Sequence, residues 1–135
     1  MADTFNLRVL TPKEKLFEGA VSTVNAPGFS GDFGVLPGHV AYITAVKPGA
    51  MVLEGKDGNT VYAVGDGFAQ VSADRVSIVV SSAVPAADVD VAQAHKDLAE
   101  AEGELMHATP GDSAYNDASL KQALALGRIA AADRA

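Results

Sequence analysis

From Phe5 to Pro85 the apolar residues of this chain tend to recur at every second position, and beyond Pro85 they recur at every third or fourth. Phe5, Leu7 and Val9 alternate with Asn6, Arg8 and Leu10, which is mostly the pattern of a half-buried strand. The same reading predicts strands over 21–26, 42–46, 51–54, 60–64, 68–71 and 76–81. Turn formers stand between them: Lys47-Pro48-Gly49, Asp57-Gly58-Asn59 and Ser72-Ala73-Asp74. The Asp-Gly pair suits the positive φ angles of a tight hairpin. Short strands punctuated in this way predict an all-β sandwich or barrel.

After Pro85, Ala, Asp, Glu and Leu dominate. Asp88 is the expected N-cap of a first helix, with Asp90 in its first turn at the positive end of the dipole. Val91, His95, Leu98, Glu102 and Leu105 mark its predicted stripe, which runs to about Ala108. Thr109-Pro110-Gly111-Asp112 interrupts the pattern. Asp112 or Ser113 then caps a second helix through Tyr115, Ala118, Leu120, Leu124, Leu126 and Ile129. A short loop between two helices predicts an antiparallel αα-hairpin. The expected fold is therefore α+β: an N-terminal antiparallel β-sandwich over 1–86, then a two-helix hairpin over 87–135. The hairpin's face is mainly alanine, which buries little area per residue. Gly103 and Gly127 each cost roughly 1 kcal/mol against Ala inside a helix. Composition thus predicts a weakly held appendage that rests on the sandwich.

Charge and chemistry narrow the function more than the fold. The chain of 135 residues carries a formal charge of −7, a poor match for nucleic acid or anionic lipid. It has no cysteine, which excludes disulfides, thiolate metal sites and a cysteine nucleophile. No targeting segment is visible at the N-terminus, and no run of ~18 apolar residues would span a bilayer. His39, His95 and His107 show no metal-ligand spacing. Neither a nucleophile elbow nor a Walker sequence occurs. The glycines at 28, 31, 34 and 38 read as turn glycines, and Asp32, Asp57, Asp66 and Asp74 as turn carboxylates. Asp97, Glu100, Glu102 and Glu104 read as a solvated helix face. Read from the residues alone, the chain is a β-sandwich with a helical hairpin and no visible catalytic, metal or cofactor site. A free-standing ligand-binding sandwich with a regulatory hairpin is the alternative on this reading.

The stretch Gly31-Asp32-Phe33-Gly34-Val35-Leu36-Pro37-Gly38-His39, followed by Thr44-Ala45-Val46-Lys47-Pro48-Gly49, resembles the signature of the epsilon-subunit family of F-type ATP synthases, which includes the mitochondrial delta subunit. Val64 to Val71 is similar to that family's Ser-Gly-Gly-Phe-x-x-Val segment, with Gly65 and Asp66 in place of Ser-Gly. Tyr115 through Ile129 is similar to its last helix. The match covers about residues 4 to 130.

The resemblance implies a non-catalytic rotor subunit that couples proton translocation to ATP synthesis, bound to the gamma subunit and to the ring of c subunits. Family hairpins can fold down on the sandwich or extend upward to block ATP hydrolysis, where they would meet alpha and beta. Here the last helix offers only Lys121, Arg128 and Arg134, with Asp117 and Asp133 offsetting two of them, so only weak inhibition is expected. Carried over by position, Ser30, Gly31 and Asp32 would face the c-ring, and Thr11, His39, Thr44 and Gln70 would face gamma. Some bacterial members bind ATP through Ile/Leu-Asp-x-x-Arg-Ala. The aligned Val89-Asp90-Val91-Ala92-Gln93-Ala94 keeps Asp90 but has Gln93 at the arginine, without its charge-assisted phosphate contact. No cofactor and no nucleic-acid partner is implied. The expected location is peripheral, on the cytoplasmic face of a bacterial inner membrane, with membrane contact only through the complex.

Overall fold

The computed structural model describes residues 4–28, 31–38, 41–55, 58–73 and 75–134. Ten strands come first: β1 Phe5–Leu10, β2 Lys15–Val21, β3 Thr23–Gly28, β4 Gly31–Val35, β5 Tyr42–Val46, β6 Gly49–Gly55, β7 Gly58–Val64, β8 Gly67–Val71, β9 Arg75–Val80 and β10 Ala83–Pro85. A 3-10 turn, Ala86–Asp88, leads into α1 (Val91–His107) and α2 (Ser113–Arg134). The strands form two layers. One runs β10-β7-β6-β3, with β4 also paired to β3; the other runs β5-β8-β9-β1-β2. Among the described residues the two layers join at a single pairing, Gly28 with Val46. All pairings are antiparallel except β1 with β9, which is parallel.

The alternation at Phe5, Leu7 and Val9 puts all three in the core between the layers, with Val76, Ile78 and Val80 of β9 beside them. Val24, Val35, Met51, Leu53, Tyr62 and Val64 close the core from the other layer. Burial pushes the Tyr62 hydroxyl's pKa up. The expected tight hairpin joins β6 to β7, where Gly55 faces Gly58 and Gly58 has a φ of +113°. Asp57, within that turn, lies outside the described residues, as does Asp74.

β6 and β7 are apolar on both faces. Met51 and Leu53 point into the core, whereas Ala50, Val61 and Ala63 point outward and pack under α2 with Ala131. α2 is the helix that lies on β6 and β7, and α1 packs principally on α2. Two details of α1 depart from the sequence expectation. Its N-cap is Asp90, whose carboxylate accepts the Gln93 N–H at 3.0 Å, because Asp88 belongs to the 3-10 turn that precedes it. Its buried stripe is Ala94 and Ala101, flanked by half-buried Leu98 and Leu105, while His95 and Glu102 are exposed. The period was right, but the phase is set by alanine, because only small side chains let α1 approach the Ala118 and Ala125 face of α2 closely.

Candidate functional site

A two-layer sandwich has two outer faces, and this one covers only one of them with its own helices. The other, on β5-β8-β9-β1-β2, is built from residues that alternate with the core positions. Cross-strand pairing arranges them in rows, since directly opposed residues share a face. Leu10, Val79, Phe68 and Ala45 stand in one row across β1, β9, β8 and β5. Glu18, Arg8, Ser77, Gln70 and Ile43 form the next, from β2 to β5. Asn6 and Arg75 begin a third.

The first row is apolar throughout. Ile43 at the end of the second row is 70% exposed, and Phe68 in the first is 46% exposed. The outer sides of β5 and β8 thus carry Ile43, Ala45 and Phe68 beside Gln70, and no element among the described residues packs over Ile43 and Phe68. An antiparallel sheet that keeps one face in water normally carries polar residues there. A contiguous exposed apolar surface on such a sheet marks a contact with another molecule.

The charged residues gather at the β2 side of this face. Lys15 Nζ lies 3.0 Å from Glu18 Oε1. That hydrogen bond and charge hold the Glu18 carboxyl below its usual range, with smaller contributions from Arg8 and Arg75. The Nε of Arg8 is shut off from solvent and has no hydrogen-bond partner among the described residues.

The structure distributes the sequence-predicted site residues unevenly. Gln70 is exposed on this face, between Ser77 and Ile43. Thr11 stands just beyond β1 and builds the turn into β2, where its N–H donates to the Glu14 carbonyl at 2.9 Å. Thr44 pairs with fully buried Ala69 and shares its inward side, on the opposite surface of the strand from Ile43. His39 and Ser30 lie outside the described residues. Gly31 and Asp32 open β4, paired with Gly28 and Pro27, and form one arm of a β3–β4 hairpin rather than an irregular loop. Asp32 is exposed, and its carboxylate lies 4.0 Å from Arg134 at the end of α2. In the segment that departs from the Ser-Gly-Gly pattern, Asp66 fastens the start of β8 to the turn after β9. Its carboxylate accepts from the Ser81 hydroxyl at 2.9 Å, and its carbonyl accepts the Ser81 N–H at 2.8 Å.

At the start of α1, Asp90 serves as the cap, and the Gln93 amide donates to Asp97 at 2.8 Å. The three cations of α2 are all engaged within the chain. Lys121 lies 2.7 Å from Glu100 and 3.3 Å from Glu104, Arg128 is 4.0 Å from Asp97, and Arg134 meets Asp32. The hydrogen bond to Glu100, with that to Glu104, raises the Lys121 pKa. The acidic residues of α1, expected as a solvated face, thus include three that staple the two helices together.

Comparison with known proteins agrees with this architecture. Residues 4–86 match the family described as the ATP synthase delta/epsilon chain, beta-sandwich domain. The chain is 45% identical over 98 residues to the ATP synthase epsilon chain of Synechococcus sp. strain RCC307, covering 71% of each chain. It is 33% identical over 128 residues to that of Anaeromyxobacter dehalogenans strain 2CP-1, covering 95% of this chain and 97% of the relative. Among solved structures, a chain in the cryo-EM structure of the Euglena gracilis mitochondrial ATP synthase (OSCP, F1 and c-ring) superposes with a TM-score of 0.83 at 23% identity. It covers 100% of this chain and 84% of the other, and shows the shared fold.

Proposed function

The chain belongs to the ATP synthase delta/epsilon chain family, and from that premise we propose that it joins the central stalk as the rotor subunit that grips gamma and rests on the c-ring. It is a non-catalytic subunit of the synthase. The observation that carries the reading is the uncovered apolar row Leu10-Val79-Phe68-Ala45 with Ile43 beside it. This face is the surface for gamma, and Gln70 lies within it. The exposed start of β4, with Gly31 and Asp32, is the surface for the polar loops of the c subunits. No helix among the described residues is long and apolar enough to cross a membrane. Contact with the bacterial inner membrane, on its cytoplasmic face, runs through the complex.

Both surfaces belong to the sandwich, so residues 1–86 are expected to suffice for assembly. Added to F1 that has been stripped of this subunit, the 1–86 fragment should bind gamma within about threefold of the full chain's affinity, since no residue of the hairpin lies on the proposed face. Failure to bind, with the β-sheet circular dichroism of the fragment intact, would refute the assignment of gamma binding to the sandwich.

The hairpin is proposed as at most a weak brake on ATP hydrolysis. A brake of this kind requires α2 to leave the sandwich and meet alpha and beta. Its three cations are already held by Glu100, Glu104, Asp97 and Asp32. Exchanging one set of exposed ion pairs for another yields little net free energy. Inverting a 1:99 equilibrium takes about 5.5 kcal/mol of differential binding. Deleting residues 88–135 should therefore raise hydrolysis in coupled membranes less than about twofold. A tenfold rise, equivalent to about 1.36 kcal/mol, would show that the hairpin is a strong brake. Nucleotide control is not part of the proposed function, because Asp90 is occupied as a cap and Gln93 stands where the motif has arginine.

A further inference from the structure

We infer that Arg8 is the polar anchor of the docking face, with its guanidinium meeting a carboxylate that gamma carries into the contact. The inference rests on the proposed docking of gamma on this sheet and adds to it the chemistry of the partner surface.

Three observations support it. The first is position. Arg8 is in the row that ends at Ile43 and is the β1 neighbour of Leu10, two residues away on the same face. Three strand spacings separate it from Ile43, roughly 14 Å. A partner element laid across Ile43 and Phe68 therefore reaches it. The second is burial. The Arg8 Nε is already excluded from water, with no acceptor among the described residues. Native proteins leave few buried donors unpaired, and such a group calls for an explanation. An acceptor reaches Nε only when the guanidinium turns outward, and a partner carboxylate arriving on this face gives it reason to turn.

The third observation is charge. The chain as a whole is acidic, at −7, yet this side of the face carries Arg8, Arg75 and Lys15 against Glu18. Glu18 is hydrogen-bonded to Lys15 and is the one carboxylate among these three cations, so it offsets only part of their charge. The guanidinium of Arg8 remains, beside an apolar row, as a forked donor that suits a carboxylate in two-point contact. Complementary charge at the edge of an apolar contact fixes its register and rejects other partners. A carboxylate on gamma set beside an apolar stripe fits both parts of this surface at once.

The test is a titration of F1 stripped of this subunit with the full chain and its variants, alongside thermal unfolding of each free variant. Arg8→Met keeps the stem and removes the donors. It should raise the Kd for stripped F1 at least tenfold while leaving the Tm of the free chain unchanged or higher, because an unpaired buried donor has gone. Replacing the acidic residues of gamma one at a time should find one whose loss weakens binding as much. Combined with Arg8→Met, that variant should weaken binding no further. Phe68→Ser serves as the control for the docking reading itself.

If Phe68→Ser weakens binding but Arg8→Met does not, the anchor is refuted and the docking face stands. If neither variant weakens binding, the docking face falls, and the anchor with it. A drop in the Tm of the free Arg8→Met chain would assign the residue a role inside the fold and overturn the inference. Arg8→Met binding loss without any coupled gamma carboxylate would overturn the partner chemistry.

Discussion

Replacing Gly127 by leucine is expected to lift the helical hairpin off the sandwich while the β-structure stays folded. α2 meets the sheet backbone to backbone at this point. A Cβ on Gly127 would lie 2.8 Å from the Gly49 nitrogen and 2.9 Å from its Cα. Main-chain atoms cannot swing aside as a side chain does. Gly49 is crowded in turn, since a Cβ there would lie 2.8 Å from Pro27 Cβ. The residues around the seat are small: Ala50, Ala63 and Ala131 fill the contact between α2 and β6–β7. A docking surface of alanines gains little area per residue, so it has little free energy with which to absorb the strain. Overpacking a tight contact typically costs about 1–3 kcal/mol, and leucine adds far more than one methyl.

Hydrogen exchange resolves the outcome by region. Amides of α1 and α2 should exchange at least about tenfold faster in Gly127→Leu, as expected for roughly 1.4 kcal/mol or more of lost docking. The amides of β1 and β9, paired within the other layer, should keep their protection. Unchanged protection in α2 would mean that the glycine seat does not hold the hairpin. Gly127→Ala sets two effects against each other. It gains about 1 kcal/mol of helix propensity but places its methyl in the same clash, so its shift should be smaller than that of leucine.

The sequence singled out Gly127 only as a cost to the helix, because propensity is a local property and the seat on Gly49 is not. The same distinction runs through the fold. β1 and β9 were legible because one face of each faces the core and the period of two survives, and β5 and β8 because each is a short apolar run followed by turn formers. β2 was not, because the register shifts between Val9 and Leu10: Phe17 faces Val9, but Lys15 faces Leu10, which leaves Leu16 extra and breaks the alternation. β4 reads as a turn because two of its five residues are glycine, and β10 spans three residues, too few to show a period. On the proposed docking face, the family resemblance pointed to Gln70, which lies on it, and to Thr44, which lies on the other side of β5. Ile43 and Phe68 were not singled out. Their signal was present in the strands that carry them: the outer positions of β5 and β8 are Ile43, Ala45 and Phe68, with Gln70 alone polar. A two-sided apolar strand says that both faces are covered, but not whether the cover comes from the same chain. β6 and β7 show that signal and meet α2; Ile43, Ala45 and Phe68 show it on β5 and β8 and meet no element among the described residues.

Placing aspartate at both Ile43 and Phe68 should therefore abolish assembly without harming the fold. In the free chain both are exposed, Ile43 at 70% and Phe68 at 46%. Surface substitutions of this kind usually change stability by no more than about 0.5 kcal/mol. On the proposed face, each wild-type side chain contributes up to about 1.5–3 kcal/mol when gamma buries it. Each aspartate adds the cost of taking a carboxylate out of water without a partner. Arg8 is about three strands from Ile43, too far to neutralise it. The sum exceeds roughly 4 kcal/mol, and each 1.4 kcal/mol is a factor of ten, so affinity for stripped F1 should fall by about a thousandfold or more. The same pair of changes at Val91 and Met106, exposed apolar positions on α1, should leave the affinity within about threefold, because α1 lies on the far side of the molecule from this face. Binding of the Ile43→Asp, Phe68→Asp chain at near wild-type affinity, with its β-sheet circular dichroism intact, would remove this face from the assembly and return the question to the β3–β4 hairpin.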